Sequence, residues 1–315
     1  MKLLIYLPAL DEESNIVNVI NNLPKKIPHV SEINYLVVDD GSIDKTAALA
    51  RSSRAQVVSH ARNRGVGAAF HSGVQYALEN GADILVGIDA DGQFDPDEIQ
   101  TLIEPIITDK ADMVIGNRFT RGRPKYMSQI KYWGNMIIAS LVSFIGGQKM
   151  QDVSCGFRSY NREALLRLNI FGKFTYTHET ILSLIYQELR VIELAIKVRY
   201  YPERKSRVAK SLFRYAMQTG KIIFRIMLDY KPLMVFGVFG GAMLAIGMGF
   251  EIFLLVYYVI FSKFTPYKSV GFIGLGFGIF GLLVLLIALV ADMLNRIRVN
   301  QNQQLYELKK MRYDS

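Results

Sequence analysis

One residue type is almost missing from this sequence: Cys155 is the only cysteine among 315 residues. A lone cysteine excludes an intrachain disulfide, which fits a reducing compartment. The four histidines lack the spacing of metal ligands, so the sequence gives no indication of a zinc site. We expect no cleavable leader either, since Met1 and Lys2 run directly into the strand-like segment 3–7. We therefore expect the N-terminal domain to stay in the cytosol.

Charged side chains are nearly absent from residues 233–291. Two apolar runs, 235–261 and 271–290, are each long enough to cross the hydrocarbon core of a bilayer at about 1.5 Å per residue. The short link between them contains Pro266, which predicts a transmembrane hairpin with both ends in the cytosol. Glycines four residues apart favour close helix packing, and they are Gly237 with Gly241 and Gly274 with Gly278.

The formal charge of +9 suggests an anionic partner, either nucleic acid or an anionic membrane surface or phosphorylated substrate. Basic residues are dense just before the apolar region, between 199 and 231, and recur after it, between 296 and 312. Basic flanks on the same side of two spans follow the positive-inside rule, which favours a membrane surface over nucleic acid. Residues 209–229 are basic and amphipathic, so this segment is either a helix in the membrane interface or a buried helix of the N-terminal domain.

The first 200 residues alternate short strand-like runs with helical patterns, which favours a mainly parallel sheet with helices on both faces. The strand-like runs are 3–7, 35–38, 56–59, 84–88, 113–115 and 191–198, and the helical stretches are 12–22, 45–52, 66–80, 96–109, 128–147 and 180–189. Ligands of such sheets bind beyond the carboxyl ends of the strands. Acidic residues stand at two of these ends, Asp39 with Asp40 and Asp89 with Asp91.

Asp89 and Asp91 flank one small residue directly after the apolar run 84–88. Two carboxylates on a tight turn offer the hard oxygen ligands that Mg²⁺ or Mn²⁺ prefers, and the ion in turn holds a diphosphate. Gln93 follows at a spacing that suits another oxygen ligand. Solvent-facing turns often contain the same pattern, so an ordinary turn is the alternative.

Asp39 ends another buried run, and the residues after it, Gly41, Ser42 and Asp44, are explained by turn and helix-cap chemistry. Asp39 itself is not explained in that way. A carboxylate at a strand end facing a cleft suits a ligand that offers hydrogen-bond donors, such as a base or a ribose.

Taken together, these segments resemble the family 2 inverting glycosyltransferases of GT-A fold. Within them the sequence is similar to the branch of dolichyl-phosphate mannose and glucose synthases and bacterial polyprenyl-phosphate glycosyltransferases. The matching segments, in the family's order, are 8–12 (PALDE), 38–42 (VDDGS), 63–67 (NRGVG) with Gly73, 89–93 (DADGQ), 116–118 (GNR), 152–158 (DVSCGFR) and 204–206 (RKS). The sequence departs from the family pattern at Asp11, usually Asn, at Asn117, usually Ser, at Cys155, and in 204–210, which lacks the usual glycine.

The resemblance implies three groups of site residues. The nucleotide and donor group consists of Pro8, Leu10, Glu12, Asp39, Asn63, Gly67 and Asp89. The catalytic and metal-binding group consists of Asp89, Asp91 and Gln93, which are expected to hold Mg²⁺ or Mn²⁺ and the donor diphosphate. The group that binds the acceptor phosphate consists of Arg118, Lys131, Asn135 and Arg204.

The resemblance further implies transfer of a hexose from a UDP- or GDP-sugar to a polyprenyl phosphate, with inversion. A phosphate monoester is largely ionised near neutral pH, because its second pKa is about 6, so it can attack without a dedicated base. The alternatives are a glycolipid or glycan acceptor, or a catalytically silent membrane scaffold. The expected partners are the nucleotide-sugar, the lipid phosphate and the membrane, but no nucleic acid, and a homo-oligomer stays open.

The expected organisation has four parts. They are a cytosolic GT-A catalytic domain at 1–207, an amphipathic interfacial helix or linker at 208–231, two transmembrane helices within 232–293 and a cytosolic basic tail at 294–315. We accordingly expect a multi-pass protein of the plasma membrane whose catalytic domain and two termini are cytosolic.

Overall fold

The computed structural model describes residues 1–169, 176–199, 220, 221, 224, 225 and 227–313. The chain divides into two compact units. The first is Met1–Thr219 together with Asn302–Ser315, and the second is Gly220–Gln301. The interfacial segment predicted at 208–231 lies mostly outside the described residues and stays a prediction.

The described residues of the first unit form a seven-stranded sheet in the order β3–β2–β1–β4–β6–β5–β7. The strands are β1 (Lys2–Ala9), β2 (Glu32–Asp39), β3 (Gln56–Ser59), β4 (Ile84–Gly87), β5 (Met113–Asn117), β6 (Arg158–Asn161) and β7 (Val191–Ala195). Strands β1 to β4 pair in parallel, as β5 and β7 do, whereas β6 is antiparallel to both of its neighbours. The α/β class expected from the sequence is therefore confirmed.

Helices follow most of the strands in the described residues. They are α1 (Ile16–Asn21), α2 (Thr46–Ser52), α3 (Val66–Glu79), α4 (Glu98–Ile107), α5 (Gln129–Gly146), α6 (Arg162–Arg167), α7 (Thr177–Tyr186), α8 (Pro232–Phe261) and α9 (Lys268–Tyr313). Residues 3–7 of β1 are buried, because α3 packs against the sheet beside them. Each such Leu or Ile stabilises the fold by about 1.5–3 kcal/mol relative to an exposed position.

Several predicted elements have different ends in the structure. Strand β2 begins at Glu32 rather than at residue 35, and helix α7 spans Thr177–Tyr186 rather than 180–189. Helix α1 begins at Ile16 rather than at residue 12, and the N–H groups of Glu12 and Glu13, which precede it, donate to Thr46 Oγ1 and Asp44 Oδ2. Strand β7 ends at Ala195, and only an isolated bridge links the later Val198 to Phe94. Strand β6 and helix α6 were not predicted at all.

The predicted basic tail is helical: α9 continues to Tyr313, and its last turns belong to the first unit. Tyr306 is buried there, and its hydroxyl donates to Glu163 at the start of α6. The ammonium group of Lys309 donates to the carbonyl oxygen of Leu168 at 2.6 Å and to Asn169 Oδ1 at 2.9 Å. These contacts fix the C-terminal turns of α9 to the edge of the first unit.

Within the second unit, α8 and α9 are both long and apolar enough to cross a membrane, judged by length and composition. Their closest approaches lie at glycines. A Cβ on Gly247 would lie 2.7 Å from the backbone of Gly274 and Gly278, and one on Gly281 would lie 2.7 Å from Leu244 N. Gly237 and Gly241 have open space instead, so the predicted contact of that pair is wrong. The spacing of glycines alone does not reveal which side of a helix faces its neighbour.

Candidate active site

A cavity of about 310 Å³ opens at the carboxyl ends of the central parallel strands. Strands β1, β2 and β4 are adjacent and parallel, so the residues that follow each of them meet at one edge of the sheet. Six of the residues expected at the site line this cavity, namely Pro8, Leu10, Glu12, Asn63, Asp89 and Asp91. The structure thus brings most of the donor and metal groups together.

Asp89 lies at the wall of the cavity as a carboxylate that has no hydrogen bond or ion pair within the described residues. Burial raises its pKa to about 7, and the neighbouring charge of Asp91 adds to this rise. The carboxyl group also lies close to Gly156, because a Cβ built on that glycine would be 3.0 Å from Asp89 Oδ1. A partly desolvated acidic group of this kind gains most from a cation that enters the cavity.

Asp91 shapes the turn that carries it, because its Oδ1 accepts the backbone N–H of Gln93 at 3.0 Å. The carbonyl oxygen of Gln93 accepts the N–H of Arg199, which ties this turn to the segment after β7. The structure gives the side-chain amide of Gln93 no hydrogen bond within the described residues. It therefore remains available as an oxygen ligand.

The residues present fit a divalent ion held by few protein ligands. No group of three or more His, Cys, Asp or Glu side chains is placed to hold a metal in the part of the chain that the structure describes. Mg²⁺ and Mn²⁺ sites of nucleotide enzymes commonly use one or two carboxylates and take their remaining oxygens from water and phosphate. Asp89 and Asp91, two carboxylates on the wall of one cavity, match that pattern.

The two acidic residues after β2 have different surroundings. Asp39 is buried, and its Oδ1 accepts the N–H of Ser42 at 3.0 Å. Asp40 lines the cavity, accepts the N–H groups of Arg64 and Gly65, and pairs with His60 Nδ1 at 2.7 Å. Within the described residues the cavity wall therefore contains Asp40 and not Asp39.

The turn after Asp40 requires glycine. Gly41 has a φ of +79°, and a Cβ there would lie 2.5 Å from the backbone of Arg62. This contact brings residues 62–65 against the end of β2, where Asn63 reaches the cavity. Gly67 is buried in the first turn of α3 and does not line the cavity as described.

The residues expected at the acceptor phosphate form a second cluster. The guanidinium of Arg118 donates to both oxygens of the buried Asp152, at 2.6 and 2.7 Å, and to Ser154 Oγ at 2.9 Å. Asn135 is buried, donates to the carbonyl oxygen of Gln151 at 3.1 Å and accepts from Ser154. Both side chains thus also hold the 151–154 loop in place.

Lys131 lies beside this cluster without a hydrogen bond or ion pair from its ammonium group within the described residues. Burial lowers its pKa, and the charge of Arg118 lowers it further. An anion placed beside Arg118 and Lys131 would raise the pKa of Lys131 again. Arg204, the fourth residue expected here, lies outside the described residues.

Sequence reasoning missed two residues that shape the site, Gly156 and Arg158. Gly156 supplies the close contact with Asp89, and Arg158 is completely buried below the same loop. Both residues lie in the segment 152–158, which the sequence analysis identified as similar to the family but to which it gave no role in the site. The carbonyl oxygens of residues 153 and 155 accept from the guanidinium of Arg158, which gives the physical reason for an arginine at this position.

Replacing Gly156 by alanine is expected to lower the rate of the glycosyl transfer that the resemblance implies. The expected loss is about tenfold when the metal concentration is limiting, which corresponds to about 1.4 kcal/mol. The added methyl group would push the Asp89 carboxylate aside, since its Cβ would lie 3.0 and 3.3 Å from the two oxygens. The measurement is the rate as a function of Mn²⁺ concentration. Gly87→Ala is the matched control, because a Cβ there meets nothing closer than 3.4 Å. Equal metal dependence in the two variants would contradict this placement of Asp89.

Comparison of the sequence with known proteins finds a matching family model and related proteins. The model of glycosyl transferase family 2 matches residues 4–168. A UDP-N-acetylglucosamine–dolichyl-phosphate N-acetylglucosaminyltransferase of Methanococcus voltae is 30% identical over 248 residues, which cover 71% of this chain and 95% of that protein. Glycosyltransferase AglJ of Haloferax volcanii is 26% identical over 306 residues, which cover 96% of each chain.

A solved structure has the same fold as the first unit. It is glucosyl-3-phosphoglycerate synthase of Mycobacterium tuberculosis in complex with Mn²⁺, UDP-glucose and phosphoglyceric acid. The TM-score is 0.53 at 22% identity, over 69% of this chain and 78% of that one. This likeness supports the expected GT-A-like sheet.

Proposed function

This chain belongs to glycosyl transferase family 2, and on that premise we propose that it moves a hexose from a nucleotide-sugar to a polyprenyl phosphate at the cytosolic face of a membrane. The observation that carries the proposal is the cavity at the ends of β1, β2 and β4, which Asp89 and Asp91 line. The similarity to a protein named as a dolichyl-phosphate transferase supports the lipid phosphate as acceptor. The two apolar helices of the second unit support a membrane location.

The donor occupies the cavity in this proposal. Pro8, Leu10 and Asn63 surround the base and ribose, and Asp40 holds the 62–65 segment that closes this side. Asp89 and Asp91, with Gln93, would hold Mg²⁺ or Mn²⁺. The solved structure with the same fold is a complex with Mn²⁺ and UDP-glucose, which supports a divalent ion. When bound, the ion neutralises charge on the departing diphosphate.

The acceptor phosphate approaches the cluster of Arg118 and Lys131. The ammonium group of Lys131 has no anionic partner within the described residues, and its lowered pKa is consistent with a cation that an incoming anion would stabilise. Because the phosphate is already ionised, the protein's task is to bring two anions together and to hold the attacking oxygen opposite the leaving group. Attack from that side inverts the anomeric carbon, and no side chain has to remove a proton.

The proposal is tested with the full chain in proteoliposomes that contain polyprenyl phosphate. Radiolabelled UDP- and GDP-sugars are offered one at a time with Mn²⁺ or Mg²⁺. One donor is expected to give an acid-labile labelled lipid, and polyprenol without the phosphate is expected to give none. Label in a glycolipid or glycan, with no labelled polyprenyl phosphate from any donor, would replace this acceptor with another.

A further inference from the structure

A series of three hydrogen-bonded side chains lies behind the donor side of the cavity. His60 follows β3 directly, and its Nδ1 lies 2.7 Å from Asp40 Oδ1. Its Nε2 lies 2.9 Å from the hydroxyl oxygen of Ser72 in α3. The backbone N–H of His60 also donates to the carbonyl oxygen of Asp39 at 2.9 Å. The ring of His60 therefore connects the ends of β2 and β3 to the second turn of α3.

The hydrogen-bond roles in this series follow from the chemistry of the three groups. The carboxylate of Asp40 only accepts, so the hydrogen of the first bond lies on Nδ1 of His60. In a neutral ring Nε2 is then the acceptor, and it takes the hydroxyl hydrogen of Ser72. His60 and Asp40 are only 9% and 5% exposed, so water competes little for either group. Buried polar groups of this kind are costly unless each is paired, which favours one fixed geometry for the series.

Asp40 in turn holds part of the cavity wall. Its Oδ1 accepts the N–H of Arg64 at 2.9 Å, and its Oδ2 accepts the N–H of Gly65 at 2.8 Å. Gly65 and Asn63 both line the cavity. The carboxyl group meets both N–H groups with good geometry only in a narrow range of orientations. The hydrogen bond from His60 holds the carboxyl group in that range.

An aspartate, a histidine and a serine in series also form the nucleophilic triad of many hydrolases. In such a triad the serine hydroxyl faces the substrate. In this protein Asp40 lines the cavity, whereas neither His60 nor Ser72 is among the described residues that line it. The end of the series that reaches the cavity is therefore the carboxylate, which suits the positioning of a wall rather than nucleophilic attack by the serine.

We propose that His60 is a positioning residue for the nucleotide-sugar, because it orients the carboxylate of Asp40 and thereby fixes residues 63–65 against the donor. The inference rests on the donor site of the proposed function and goes beyond it, since it gives a role to a residue that does not line the cavity. A wall that is fixed before the donor arrives lowers the entropic cost of binding. Loss of His60 therefore weakens donor binding and leaves the chemical step largely unchanged.

A kinetic test compares the donor with the acceptor. His60→Ala is expected to raise the KM for the nucleotide-sugar about tenfold, the size expected for loss of one hydrogen bond to a carboxylate. The kcat and the KM for polyprenyl phosphate should change by less than about twofold. His60→Asn keeps an N–H donor near the position of Nδ1 and should restore most of the donor affinity. A loss confined to kcat, with the donor KM unchanged, would overturn the proposal.

His178→Ala is the matched control, because it also removes a buried histidine. His178 is 5% exposed in α7, and its Nε2 has no hydrogen-bond partner within the described residues. Both alanine variants lose a buried ring, so both should lower the Tm. Only His60→Ala should raise the KM for the donor. An equal rise in both variants would mean general destabilisation and would overturn the positioning role.

Nucleotide binding tests the same point without an acceptor. UDP and GDP, each with Mn²⁺, are titrated into the full-length wild type, His60→Ala and His60→Asn by calorimetry. The nucleotide that binds the wild type should bind the alanine variant about tenfold more weakly and the asparagine variant nearly as tightly as the wild type. Equal affinities of the wild type and the alanine variant would contradict a role of His60 at the donor.

Hydrogen exchange separates this inference from the proposed function, because it needs neither donor nor turnover. The backbone amides of Arg64 and Gly65 should exchange about tenfold faster in His60→Ala than in the wild type, and at the wild-type rate in His178→Ala. Mass spectrometry of the full chain in detergent measures both rates. Unchanged exchange at these amides would remove the positioning role even if sugar reaches polyprenyl phosphate. Faster exchange without such transfer from any donor would keep the role of His60 and remove the proposed acceptor.

Discussion

Replacing Asp91 by asparagine is expected to reduce sugar transfer about a thousandfold while the protein stays folded. The amide oxygen of asparagine can still accept the N–H of Gln93, which Asp91 Oδ1 accepts at 3.0 Å, so the turn is kept and only the charge is removed. The loss should equal that caused by chelating the metal from the wild type. The measurements are the transfer rate with Mn²⁺ or Mg²⁺ and the binding of the ion with the nucleoside diphosphate.

Two further variants separate charge from geometry. Asp91→Ala removes both the charge and the hydrogen bond, so it should be at least as inactive as the asparagine variant. Asp95→Asn removes a carboxylate four residues away, which accepts the N–H of Asp97 and pairs with the exposed Arg199 at 3.4 Å. This control should keep nearly full activity. Normal transfer by Asp91→Asn would exclude Asp91 from the chemistry.

The alternation of strands and helices along the chain was predictable, because it depends on local sequence patterns. Buried runs such as 3–7 and 84–88 are continuous and apolar, as expected for parallel strands covered on both faces. The carboxyl ends of such strands meet at one edge, so the sequence alone was enough to expect the acidic residues after β2 and those after β4 at one site.

Strand β6 could not be predicted, because its sequence, Arg-Ser-Tyr-Asn, has no apolar run and no clear alternation. It is central in the sheet only because β4 and β5 supply backbone partners on both sides. Its first residue is a buried arginine, a type that sequence reasoning places on the surface. Pairing with the neighbouring strands, rather than the local sequence, therefore determines that this segment forms a strand.

Two site assignments depend on single-residue detail that a pattern does not contain. Asp39 and Asp40 are adjacent at the end of a strand buried on both faces, and successive side chains point to opposite sides. The pattern did not indicate that Asp40 would line the cavity. Likewise, Arg118 was expected at the acceptor, and its pairing with Asp152, 34 residues later, depends on the fold.

Replacing Arg158 by methionine is expected to destabilise the first unit by about 3–5 kcal/mol. The side chain is fully buried, and its guanidinium donates to the carbonyl oxygens of Cys155, Val153 and Thr177 at 2.6, 2.8 and 2.7 Å. Methionine fills most of the volume but leaves these oxygens without donors, and each unpaired buried group costs about 1–3 kcal/mol. In a domain of this size the loss corresponds to a fall in Tm of about 10 °C, which thermal unfolding in detergent measures.

Arg158 also bears on the chemistry, since its positive charge lowers the pKa of Asp89 against the stronger effect of burial. Arg158→Lys keeps the charge but not the fork of donors, so it should lose less stability than the methionine variant and retain more metal binding. Arg199→Met is the matched control: that arginine is exposed, and its ion pair with Asp95 should contribute no more than about 0.5 kcal/mol. If Arg158→Met unfolded at the same temperature as Arg199→Met, the buried guanidinium would not be what holds the 153–155 loop, and Gly156 with it, against Asp89.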